Sequence, residues 1–197
     1  MTGRTHHRPM TPGAGFFAEI AGGADPALLR EAGDLAATVL VRGARESDDP
    51  AVAERIVHLA ESEGLETLAE VWSGAPADTL AGSLWRLFLL RSWVHADPER
   101  VATEYDAGQR RVDVARVVAG VEDPPGPDEL RRMVDDVLRG IARGDFAVTL
   151  FRAAAFARIV AAGRAGLECS HDEIARILAL SEQLEAAGHG EIANTLA

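Results

Sequence analysis

Between Thr79 and His95 the chain carries apolar residues at almost every helical angle: Leu84, Trp85, Leu87, Phe88, Leu89, Leu90, Trp93 and Val94. A helix of that kind has no polar face to offer water, so neighbouring helices must surround it. Phe146 to about Gly163 has the same character. Two such segments in 197 residues define an all-α fold, with Leu84–Val94 and Phe146–Val160 at its centre and amphipathic helices as covers. Composition agrees, because Ala, Leu, Val, Glu and Arg dominate while aromatics make up only 5%.

The helix starts are marked as well. Asp-Pro occurs at 25, 49, 97 and 123, joining a preferred N-cap to a residue that fits the first helical position. The first helix is expected from Asp25-Pro26 along Leu28, Ala32, Leu35, Ala36, Val39 and Leu40. A second follows Asp49-Pro50, and a short one covers Leu65–Trp72. Asp97-Pro98 opens a helix through Gln109, and Val112–Ala119 gives another short one. Beyond the stiff Pro124-Pro125-Gly126-Pro127 break, Leu130, Met133, Val134, Val137, Leu138 and Ile141 share one face. Opposite them, Arg131/Asp135 and Arg132/Asp136 stand at four-residue pairing distance. The last helix starts at Ser170, and a short tail is expected after Gly188. The expectation is one helical bundle of about eight helices over residues 15–197, preceded by a disordered, locally basic arm at 1–14. The near-regular Asp-Pro spacing keeps a short solenoid-like arrangement as the alternative.

What the chain lacks removes whole classes of chemistry. All 20 basic residues are Arg and none is Lys, which excludes a Walker A loop, a protein-kinase phosphate lysine and a Schiff base. Cys169 is the single cysteine, so one chain cannot form a disulfide, a zinc knuckle or a cysteine-ligated iron–sulfur cluster. GxSxG, HExxH, GxGxxG and EF-hand patterns are absent. A formal charge of −11 repels phosphate backbones and anionic membranes, so neither nucleic acid nor membrane is expected as a direct partner. The opening residues carry no apolar signal core, and both apolar stretches are interrupted by arginine; a cytoplasmic location is the expectation. No catalytic residue, metal or cofactor is expected, and an enzyme is the least favoured class.

Four arginines on the two most apolar helices form the candidate ligand site: Arg86, Arg91, Arg152 and Arg158. A guanidinium facing a bundle interior can clamp a carboxylate or phosphate. The competing reading pairs each with one of the chain's own acids, its stem covering apolar surface. Arg86 and Arg91 stand about 140° apart on a helix, which argues against one small ligand held by both. Cys169-Ser170-His171 resembles a nucleophile beside an imidazole, but Ser170 and Glu173 also spell an S-x-x-E capping box. His58 reads as a surface residue, His95 as a helix C-terminal one, and Trp72, Trp85 and Trp93 as core aromatics.

The segments DPAVAERIVHLAESEGLETLAEVWS (49–73), GSLWRLFLLRSWV (82–94) and GDFAVTLFRAAAFARIVAAG (144–163), with the PPGPDE turn, carry a family resemblance. Over roughly residues 13–166 the chain resembles a poorly characterised group of small all-helical actinobacterial proteins. Some members carry the label DNA-directed RNA polymerase subunit beta. The resemblance implies an all-helical fold and a link to the transcription machinery, and it assigns no catalytic residue. The leading expectation is a helical adaptor or regulatory module acting by protein–protein contact. The alternatives are a bundle binding a small anionic ligand and a transcription-machinery accessory protein.

Overall fold

The computed structural model describes residues 26–43, 65–112, 126–132, 135 and 146–196. The arm at 1–14, the helix after Asp49-Pro50, the Val112–Ala119 helix beyond its first residue, and His58 lie outside them. Among the described residues all regular structure is helical and none is strand. The elements are α1 (Pro26–Arg42), α2 (Leu65–Trp72), α3 (Leu80–Ala96), α4 (Pro98–Gln109), α5 (Phe146–Gly166) and α6 (His171–Ile192). A further helical segment spans 127–132.

Local chemistry sets the boundaries. Thr79 caps α3, its side chain accepting from Gly82 N at 3.0 Å. Asp97 both ends α3 and caps α4, accepting from Arg100 N at 3.1 Å, with Pro98 at the first position. Ser170 and Glu173 form the full reciprocal capping box of α6. α6 does not stop at Gly188; it continues to Ile192. Gly188 serves packing there, since a Cβ at that position would lie 2.9 Å from the Phe151 ring on α5.

α5 is the central strut. It forms an antiparallel hairpin with α6, held where Ser181 Oγ donates to the Ala154 carbonyl (2.8 Å) and Phe151 meets the His189 ring edge-on. α4 crosses the other side of α5, and α3 packs against α5 and α6. α1 and α2 form a layer over α3, joined where the buried Trp72 Nε1 donates to the Gly33 carbonyl at 3.1 Å. Leu84, Leu87, Leu90 and Val94 of α3 and Leu150, Phe156, Ile159 and Val160 of α5 belong to one core. α5 is long and apolar enough to cross a membrane, but 67% of its apolar window is buried inside the fold. Its apolar character is thus accounted for by its neighbours in the bundle.

Candidate functional site

The four candidate arginines do not converge. Arg91 Nε donates to Asp135 at 2.9 Å, and His95 Nε2 lies 3.1 Å from the same carboxylate oxygen. Burial pushes the Asp135 carboxyl up, but the hydrogen bonds and charges of Arg91 and His95 outweigh it and leave the pKa lowered. The expected Arg131–Asp135 pair is therefore replaced: Asp135 faces α3, and Arg131 turns back to Asp128 at 3.1 Å. Arg158 of α5 pairs with Glu185 of α6. Arg152 is half-buried on α5.

Arg86 is different. Its Nε donates to Gln183 Oε1 at 2.6 Å, and its Nη1 to the carbonyls of Gly82 (2.8 Å) and Ala75 (3.4 Å). All three acceptors are neutral. Among the described residues no carboxylate forms an ion pair with it, contrary to the expectation that each core arginine would find an acid. Burial lowers its pKa, opposed at longer range by the charge of Asp78.

Gln183 also lines a cleft of about 500 Å³ between the Ala77–Asp78 turn and the second half of α6. Its walls are mainly small residues (Ala179, Ala186, Ala187 and Gly190) with Asp78 and Glu182 on the polar side. A second cleft, of about 460 Å³, lies between α1 and the end of α2 and includes Arg30, Asp34 and Glu70. Among the described residues no group of three or more His, Cys, Asp or Glu side chains is placed to hold a metal ion.

The most elaborate polar cluster was not singled out from the sequence. Glu104 of α4, with its side chain 2% exposed, receives Arg164 Nε of α5 at 2.9 Å and Arg100 Nε at 2.8 Å. Arg164 also donates to the Glu173 carbonyl at 3.1 Å and lies 4.9 Å over the Trp93 ring. Arg100 reaches on to the Glu173 carboxylate at 2.7 Å. Two guanidiniums and two carboxylates thus form a closed, charge-balanced hub joining α3, α4, α5 and α6. Its groups are satisfied by one another, which fits a structural role better than a catalytic one. The Arg100–Glu104 spacing of four residues and the S-x-x-E box that holds Glu173 are its sequence-level traces.

The third feature is a face of α3. Trp85 and Phe88 are half-buried and stacked, with ring centroids 5.7 Å apart, and Leu89 is 40% exposed. Trp85, Leu89, Ser92 and Ala96 fall within about 60° of arc on the helix. Only Trp72 of the three tryptophans is fully buried; Trp85 and Trp93 are half-exposed. Cys169 is half-buried in the turn between α5 and α6, in the segment capped by Ser170. Comparisons with known proteins return no family model, no curated protein and no solved structure that matches this chain.

Proposed function

We propose that this chain is a cytoplasmic helical adaptor or regulatory module that acts through protein–protein contact. The observation that supports it is the α3 face, where a core helix leaves Leu89 and the stacked Trp85–Phe88 pair only partly covered. Aromatic side chains and Arg concentrate the energy of protein interfaces, and large apolar residues exposed together favour a contact surface. A place beside the transcription machinery is a narrower form of this reading, drawn from the sequence resemblance. With a net charge of −11 the contact would be with protein and not with DNA. Affinity purification from the native cell tests it, using the wild-type chain beside Leu89→Asp. A partner retained by the first and lost by the second supports the reading, whereas equal recovery removes α3 from the contact.

A second reading has its own observation. Arg86, with neutral acceptors only, adjoins the cleft lined by Gln183 and suits a small anionic ligand. A thermal-shift series with anionic metabolites tests this, since ligand at one hundred times its Kd adds about 2.7 kcal/mol. No shift with any of them would count against it.

A further inference from the structure

We infer that the partner meeting the α3 face is an acidic amphipathic helix, which lays apolar side chains on Trp85 and Leu89 and brings a carboxylate to Arg86. The inference rests on the protein-contact reading and adds the chemistry of the partner. Leu89 provides the apolar centre, and Trp85 beside it, held by its stack on Phe88, supplies rigid area at little entropic cost. Trp85, Leu89 and Arg86 lie within about 100° of arc on α3, close enough for one partner helix about 10 Å wide to cover all three.

Arg86 selects the sign of the partner's charge. Arg86 uses Nε and Nη1 on neutral oxygens, while its Nη2 protons have no partner among the described residues. A carboxylate there would form a charge-assisted bond to a half-buried guanidinium whose hydrogen-bond acceptors are all neutral. A cationic partner would instead meet a like charge. The overall charge of −11 pulls the other way, but salt screens that field beyond about 8–10 Å, whereas the contact pair lies within the screening length. Asp78 acts on Arg86 at a distance and forms no ion pair with it.

The test uses a labelled synthetic amphipathic peptide of about 18 residues, with leucines on one face and glutamates flanking them, and its lysine-for-glutamate counterpart. Fluorescence anisotropy measures both peptides against the full chain and against Leu89→Ser, Arg86→Gln and Arg86→Lys, each checked for folding by its melting curve. The glutamate peptide is expected to bind, to weaken about 10-fold with Arg86→Gln and to recover in part with Arg86→Lys. Leu89→Ser is expected to weaken it as well. Binding that responds to Leu89→Ser but not to Arg86→Gln, or that is as tight for the lysine peptide, overturns the acidic partner and leaves α3 as a contact face. If neither peptide binds, or Leu89→Ser changes nothing, the α3 face itself is overturned.

Discussion

Gly108 and Gly163 meet where α4 crosses α5, each beside the other's backbone. A Cβ on Gly108 would fall 1.9 Å from the Ile159 carbonyl oxygen, and one on Gly163 would fall 1.7 Å from that of Glu104. The obstacles are backbone atoms inside two helices, so no side-chain rotation can relieve the clash. Alanine gains about 1 kcal/mol over glycine in an open helix. Here the overlap outweighs that gain. Gly163→Ala is expected to destabilise by about 3 kcal/mol or more, read from urea unfolding. A variant as stable as wild type would mean that the helices do not approach so closely.

The buried pair beside this crossing makes a second prediction. Arg164→Met leaves Glu104 in the core with only Arg100 to neutralise it, and is expected to cost about 3–5 kcal/mol. Adding Glu104→Leu removes the stranded charge, so the double variant is expected to lose less than the sum of the two single losses. A double-mutant cycle measures this directly; strict additivity would show that the two groups are not coupled.

Acid should reach the hub through Glu173. The hydrogen bond from Arg100, then those from the Ser170 side chain and backbone, hold its carboxyl down at about 2. Because the folded value lies below that of a free carboxyl, this contribution to stability is complete above about pH 4.5 and is lost as pH falls toward 2. Carboxyl-resolved NMR titration is expected to show the low value in the wild type. Ser170→Ala should move it upward and cost about 1 kcal/mol through the lost cap. A Glu173 titration near 4.5 in the wild type would contradict the hydrogen bonds that Arg100 and Ser170 make to it.

A gain is expected at Glu168. This residue has φ 56 in the turn joining α5 to α6, a left-handed conformation that suits glycine. Glu168→Gly relieves backbone strain while loosening the unfolded chain, and the balance favours about 0.5–1 kcal/mol of added stability in thermal melts. A lower melting temperature would show the side chain to be a needed contact.

Helix limits were legible where the chain states them chemically. Asp97-Pro98 opens α4, the Ser170–Glu173 box opens α6, and α2 covers Leu65–Trp72 as read. Gly188 misled because glycine can end a helix or let a neighbour approach, and only the Phe151 ring on α5 decides which. Asp135 misled because an i,i+4 partner in solution competes weakly with the guanidinium and imidazole that α3 presents together. The hub was illegible for a related reason: Glu104 and Arg164 are 60 positions apart, and their pairing exists only once Gly108 and Gly163 bring the helices together. Of the four candidate arginines, sequence spacing separated Arg86 from Arg91, but it could not show that Arg86 meets neutral oxygens.

The clasp between Arg42 and Glu191 has a kinetic meaning. Its Nη2–Oε2 bond of 2.7 Å joins the last residue of α1 to the last turn of α6 across 149 positions. The α5–α6 hairpin needs only a short connection to close and can form early, whereas this long loop closes at a large entropic cost and so assembles late. Loosening the clasp should therefore speed unfolding while leaving the refolding rate nearly unchanged. Under a pulling force applied between α1 and α6, the same two side chains would be the first link to part.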